Sequence, residues 1–419
     1  MNNIVLVVAD DMRWDLLDWM PQTLEKLLKR GVRMLNGFNQ NPVCIPSRTT
    51  ILTGNYSTTT GIVGNHFPFE QFDDSHTLAT VLKDAGYVTG HFGKYVNNYN
   101  PDDAAYIPPG WDDWWTITNG GTDYYGYQVS DNGSPRIYGT DPEDYLTRVI
   151  GSRAERFIRH AGEPFFAYIT PTAPHMNAIP ESRYEDMYVN LPGTAPSFNE
   201  EDVSDKAKWI QQTPRLNAAD KEEIKKRHRN MIRTLQSVDD MINNLVIALK
   251  NRGAWHNTTF IFCSDNGYQL GEHRLLGKSV PYLESVRMPL VISAPLLGTG
   301  TNDVALFQNA DLAPTLASLA GTSMGTTDGV DMTPALYREA ASRKAVYIEH
   351  PAHGVVPGFE MVQGKAFSRS GQTPQWSYTK LTTGEEEYYN LREDPYQQRN
   401  IADKTDLLEA REMLRELRP

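Results

Sequence analysis

Six consecutive apolar residues at 4–9, IVLVVA, end abruptly in the acidic doublet Asp10-Asp11. An unbroken, β-branched run of that length predicts a strand buried on both faces, the kind found in parallel sheets covered by helices. The same texture returns in YVTGHFGK at 87–94, PFFAYIT at 164–170 and TTFIFC at 258–263. Between these runs the period changes to that of helices. Leu24, Leu27 and Leu28 share one face of a helix predicted at about 21–30, with Pro21 in its first turn and Gly31 as its stop. HTLATVLKDAG predicts a helix closed by Gly86, and DPEDYLTRVIGSRAERFIRH one opened by Asp141 and Pro142. A stripe of Ile224, Met231, Leu235, Val238, Ile242, Leu245 and Leu249 marks the longest helix, at about 219–250. Strands alternating with amphipathic helices predict an α/β fold, a large mostly parallel mixed sheet sandwiched between helices. Two stretches, 95–140 and 176–218, carry neither period and are predicted as long functional loops. After about 340 the pattern shortens into KAVYIEH, KAFSRS and WSYTKLTT and then a charged helix from about 405. The expected organisation is a main α/β domain at 1–340 and a small C-terminal subdomain at 341–419, an antiparallel sheet plus helix.

Composition narrows the partners. A formal net charge of −12 argues against nucleic acid as a ligand, which would need clustered Lys and Arg. IVLVVA is too short to span a bilayer and lacks the flanks of a signal peptide, so the expectation is a protein with no membrane partner, cytoplasmic as written, or periplasmic or secreted if its start has been trimmed. The two cysteines cannot build a disulfide framework. Cys263 sits in an apolar strand run and reads as a small core residue. Cys44, in NPVCIPSRTTILTG, has no such setting.

Chemistry concentrates in two doublets at equivalent places, Asp10-Asp11 after the first strand and Asp265-Asn266 after a late one. Ligands of open α/β sheets bind beyond the carboxyl ends of strands, so both doublets are expected in one crevice. Their oxygens suit a hard cation, Ca²⁺ or Mg²⁺. Pro46 fits a first helical turn and Gly54 a stop, which puts Cys44 just outside a helix N-terminus with Arg48 about one turn later. Free N–H groups there favour an anionic substrate or nucleophile. A bare thiolate would need a histidine partner, and no local signature supplies one. His273 and His350 lie in loops that could line the pocket. Trp111, Trp114, Trp115, Tyr124 and Tyr125 are read chiefly as loop packing, with stacking on a sugar as the alternative.

Cys44-x-Pro46-Ser47-Arg48, followed by Thr53-Gly54, resembles the signature of the type I sulfatases, members of the alkaline-phosphatase-like superfamily. The resemblance extends through VVADDMRWD, GHFGKY, TAPH, CSDNGYQLGEHRLLGKSVPYLESVRMPLVISAP and EEEYYNLREDPYQQRNIAD, nearly the whole chain. It implies that a maturation enzyme converts Cys44 to formylglycine, whose hydrated aldehyde is the nucleophile. It also implies that Asp10, Asp11, Asp265 and Asn266 bind Ca²⁺ beside residue 44, and that Arg48, Lys94, His175 and Lys278 surround the sulfate. Either His175 or Lys278 then protonates the leaving alkoxide. Many family members place Trp-His after the lysine corresponding to Lys94, where this chain reads Tyr95-Val96-Asn97. That variant, with YIPPGWDDWW, is similar to the glucosamine 6-sulfatase and extracellular endosulfatase branch. Asn97 either takes the histidine's place or orients substrate, and His273 is a second tentative substrate contact. The implied activity is hydrolysis of a sulfate monoester on a small sulfated sugar such as a 6-sulfated N-acetylhexosamine. Arylsulfate, phosphonate or phosphate ester hydrolysis, and silent binding of sulfated glycans, are the alternatives.

Overall fold

The computed structural model describes residues 1–99, 105–118, 120–302, 305–337, 343–365 and 375–419. Its main sheet has ten strands: β1 (Asn3–Ala9), β2 (Gly31–Met34), β3 (Val88–Gly93), β4 (Asp113–Ile117), β5 (Gln128–Asp131), β6 (Ser134–Ile137), β7 (Phe165–Thr170), β8 (Thr258–Ser264), β9 (Leu290–Ser293) and β10 (Gly300–Asn302). Across the sheet they follow the order β10-β2-β9-β8-β1-β7-β3-β4-β5-β6. The block β8-β1-β7-β3-β4 at its centre is parallel throughout, and antiparallel neighbours flank it.

The apolar run of β1 is explained by helices on both faces. Val5, Val7 and Ala9 point into one core, against Ile150 and Phe157 of α4 and Leu235 and Ile242 of α5. Ile4, Leu6 and Val8 point into the other, against Ile51 of α2, Leu82 of α3 and Leu316 of α6. The helices are α1 (Pro21–Leu28), α2 (Cys44–Thr53), α3 (Leu78–Asp84), α4 (Leu146–His160), α5 (Ala218–Asn251) and α6 (Leu312–Leu319). Each large side chain buried this way contributes about 1.5–3 kcal/mol, so a strand two-sidedly apolar has no stable place except between such layers. A separate antiparallel sheet, β11 (Ala345–His350), β12 (Phe359–Lys365), β13 (Gln375–Leu381) and β14 (Glu386–Asn390), is followed by α7 (Leu408–Leu417). Among the described residues no helix is long and apolar enough to cross a membrane.

Several local expectations change. Gly31 does not stop a helix; α1 ends at Leu28 and Gly31 opens β2, where an added Cβ would lie 2.5 Å from the Ile292 carbonyl oxygen. Pro142–Asp144 forms its own 3₁₀ turn, and α4 starts only at Leu146. Cys44 is the first residue inside α2, with Val43 at the cap. The stretch 95–140 is no simple loop, since it supplies β4, β5 and β6. Of KAFSRS only Lys365 lies within the described residues, and the expected boundary after 340 lies outside them.

Candidate active site

Because β8, β1, β7 and β3 are parallel neighbours, their carboxyl ends open at one edge of the sheet. Asp265 and Asn266 leave β8 there, Asp10 and Asp11 leave β1, Lys94 follows β3, and His175 follows β7 after a short turn. Backbone bonds tie these exits together. Asp11 N–H donates to Asp265 Oδ1 at 3.1 Å, Met12 N–H to Ser264 Oγ at 2.9 Å and Lys94 N–H to the Thr170 carbonyl at 2.9 Å. Helix α2 points its N-terminus at the same edge and ends at Gly54, whose φ of 73° suits glycine.

Around the Cys44 thiol the charges interlock. Sγ lies 3.4 Å from Asp10 Oδ1 and 3.9 Å from Asp11 Oδ1, and the Lys278 ammonium donates to Sγ at 2.7 Å. Lys278 also pairs with Asp11 and reaches Asn266 Oδ1 at 3.4 Å, while Lys94 pairs with Asp10. Arg48 donates from Nε to Asp265 Oδ2 at 2.9 Å and from Nη1 to the Lys94 carbonyl at 2.6 Å; its Nη2 makes no hydrogen bond among the described residues and lies 3.8 Å from Asp10 Oδ2. His175 Nδ1 sits 2.6 Å from the Met176 carbonyl, which fixes the proton on Nδ1 and leaves Nε2 3.6 Å from Asp11 Oδ2. Asp10, Cys44, Arg48 and Asp265 are wholly buried, whereas the side chains of His175 and Lys278 keep 18% and 16% exposure and so form the opening.

Burial alone would raise the Asp10 carboxyl, but Lys94, His175, Arg48 and Lys278 together hold it far below the usual carboxylate range. Asp265 goes the other way, to about 6, because burial and the nearby Asp10 charge outweigh Arg48. Burial, then Asp10, pushes the Cys44 thiol up to about 12. An unaided thiol here is therefore a poor nucleophile at neutral pH. Burial would lower the Lys278 ammonium, but Asp11 and Cys44 hold it well above its ordinary value.

One ligand atom each from Asp10, Asp11, Cys44 and His175 falls within 4.8 Å of the others. Asp265 and Asn266 border this group. Asp265 gives one oxygen to Arg48 and the other to the Asp11 N–H, and Asn266 Nδ2 donates to Asp11 Oδ1 at 2.7 Å. The hard oxygen donors fit Ca²⁺ or Mg²⁺, and the ammonium groups of Lys94 and Lys278 pair with Asp10 and Asp11.

His273 is not in the opening; it is wholly buried, with Nδ1 2.7 Å from Glu200 Oε2 and its ring stacked on Tyr282 at 4.1 Å. These contacts tie His273 to Glu200 and Tyr282. Asn97 makes no hydrogen bond through its buried Oδ1, in a turn that Asn98 pins by donating to the Asn65 and Phe67 carbonyls at 3.2 and 2.6 Å. Trp114 and Trp115 are wholly buried, so packing is their role. Sequence reasoning missed Asn65, whose Oδ1 accepts the Ile45 N–H at 2.9 Å and so caps the helix bearing the thiol. It also missed that the Tyr124 hydroxyl donates to the His175 carbonyl at 2.7 Å. No local pattern marks either contact, because each joins segments distant in sequence.

A buried ionic cluster at the carboxyl edge of a helix-covered sheet is the arrangement of the alkaline-phosphatase-like fold. The chain belongs to the sulfatase family: the sulfatase family model matches residues 2–322, and the model of the N-sulphoglucosamine sulphohydrolase C-terminal region matches 271–418. It is 33% identical to a putative extracellular sulfatase Sulf-1 homolog of Caenorhabditis elegans over 76% of this chain and 47% of that protein, so it spans about half that relative's length. It is 30% identical to human N-acetylglucosamine-6-sulfatase over 84% of this chain and 68% of that protein. A protein solved in complex with its substrate D-glucosamine-2-N,6-O-disulfate superposes with a TM-score of 0.82 at 22% identity, covering 99% of this chain and 96% of that one, which shows a shared fold.

Proposed function

We propose that the protein hydrolyses a sulfate monoester on a carbohydrate, of the 6-sulfated N-acetylhexosamine type, with residue 44 as nucleophile after conversion to formylglycine. The observation that carries this reading is the thiol itself, held at a helix N-terminus between Lys278, Asp10 and Asp11. Family membership supports the reaction class, and the names of the relatives above support the sugar. Hydrated formylglycine would supply two hydroxyls on one carbon, one to attack sulfur and one whose deprotonation releases sulfate.

Asp10, Asp11, Asp265 and Asn266 would hold Ca²⁺, or Mg²⁺, next to residue 44, where the cation supplies fixed positive charge for the nonbridging sulfate oxygens. The chain's own groups do the rest. Arg48, locked on Asp265 and the Lys94 carbonyl, keeps the acidic end of β8 in register with the helix. Lys94 and Lys278 provide ammonium groups that turn from the carboxylates to the bound ester as charge builds on it. His175 keeps its Nδ1–H on a carbonyl and presents Nε2 at the opening, so as the imidazolium it gives its Nε2 proton to the departing alkoxide and is left neutral. The Asn97 Oδ1, without a hydrogen bond among the described residues, would be the polar group available where many sulfatases carry a histidine.

Mass spectrometry of the Cys44 peptide, from protein made together with a formylglycine-generating enzyme, tests the reading alongside turnover. Converted protein should cleave sugar and aryl sulfates, faster than aryl phosphonates. Turnover by protein whose residue 44 is wholly thiol would sink the mechanism, preference for phosphonate would change the substrate class, and glycan binding without turnover would leave a silent binder.

A further inference from the structure

Lys278 follows a short hairpin, Gln269–Leu270 paired with Leu276–Gly277 and closed by Gly271 N–H donating to the Leu275 carbonyl at 2.8 Å, whose turn carries strain. Within nine residues Gly271, His273, Arg274, Gly277 and Ser279 all have positive φ, of 105°, 51°, 67°, 105° and 71°. Three of the five are not glycine, a strain that the hairpin's own bonds offset in part and packing from outside helps to hold. That packing comes from a different segment, 197–216. Asn199 N–H donates to the Gly271 carbonyl at 2.7 Å and His273 N–H to the Ser197 carbonyl at 2.8 Å. The Arg274 guanidinium donates to the carbonyls of Glu200, Glu201 and Thr213 at 2.9, 2.8 and 3.0 Å. At the centre, Glu200 Oε2 accepts from His273 Nδ1, and the His273 ring stacks on Tyr282. His273 precedes Lys278 and Tyr282 follows it, so the stack clamps both stems of the loop. Tyr282 in turn donates to Glu387 Oε2 at 3.0 Å, and Glu387 Oε1 accepts the Ala207 N–H at 2.9 Å.

We propose that Glu200 and His273 are a positioning pair for Lys278, holding the loop at 271–282 so that its ammonium reaches residue 44 and the anion bound there. The inference rests on the reading of Lys278 as a sulfate-facing group. The pair touches no substrate and acts only through the lysine. A carboxylate that fixes the tautomer and tilt of a buried imidazole is a familiar supporting arrangement, and its loss commonly costs about 10- to 100-fold in the function of the group it supports.

The test is a double-mutant cycle in the converted, calcium-loaded protein, using His273→Ala, Lys278→Ala and the double variant. His273→Ala should lower kcat/KM for a sugar sulfate by about 10- to 100-fold alone but by less than about threefold once Lys278 is alanine. His273→Asn, whose amide can donate to Glu200 in place of Nδ1–H, should recover most of the loss. Inorganic sulfate affinity of the same proteins, measured by calorimetry, gives the cycle a readout that needs no turnover. Non-additive sulfate binding without ester hydrolysis would keep the positioning role and remove the sulfatase reading. Equal losses in both lysine backgrounds, or no loss from His273→Ala in either readout, would overturn the proposal. If His273→Ala fails to fold, Glu200→Gln carries the same cycle with a milder change, and additivity there is equally fatal.

Discussion

Cys44 and Cys263 are both wholly buried free thiols, yet they live in opposite surroundings. Cys263 is a strand residue in register with Val8 and Leu290, set among Ile261, Ile292 and Phe166 in an apolar core. Cys44 opens a helix and meets two carboxylates and an ammonium within 4 Å. Burial pushes the pKa of both thiols up and so suppresses their ionisation, and neither depth nor the direction of the shift tells them apart. What separates a structural from a chemical cysteine here is the company it keeps: a wholly buried thiol surrounded by paired charges has polar neighbours whose desolvation only a function justifies.

The sharpest break of this contrast is Cys44→Ala. Hydrolysis of any sulfate ester should fall about 10⁴-fold or more with the fold intact, read by turnover and circular dichroism together. Next, Asp10→Asn removes the carboxylate on which Lys94 rests, and titration of chelator-treated protein should show cation affinity lower by at least about 100-fold. Third, His175→Ala should slow a sugar sulfate, a poor leaving group, about 10²- to 10³-fold and a nitrophenyl sulfate less than about tenfold; uniform loss would remove it as proton donor.

The apolar side answers through stability instead. His91 lies in the same core region as Cys263, caged by Tyr95, Trp111, Trp114 and Tyr168, and burial, then the Arg48 charge, holds it down to about 3. Its folded pKa is below the unfolded value, so the unfolded chain takes up the proton first as pH falls below about 6.5, and stability drops toward pH 3 by up to about 1.4 kcal/mol per pH unit. Denaturant melts of His91→Phe should show a shallower acid slope. Smallest is Cys263→Ala, expected to cost about 1–2 kcal/mol with kcat unchanged.

The legible parts of the molecule were those governed by local pattern. β1, β7 and β8 are unbroken apolar runs because both faces are covered, and the doublets could be placed in one crevice from strand direction alone. β6 was invisible for the opposite reason: all four of its residues are exposed, so nothing apolar marks it. β4 hid inside an aromatic stretch that resembles loop packing, and β14, EEYYN, sets two glutamates before two tyrosines and so lacks a period-two alternation. Lys94 and Lys278 were assigned by resemblance, since an isolated lysine carries no periodic signal. The contact of His273 with Glu200 carried no signal, because the two lie 73 positions apart.

All ten residues of α2 are buried. On the proposed reading, an enzyme that converts Cys44 would have to hold the surrounding peptide in its own cleft, and no part of that peptide is offered by the folded molecule. The window for maturation would then be set by a clock rather than an affinity: once the helix is packed, an unconverted thiol is sealed in, and a molecule that folds before conversion would stay inert.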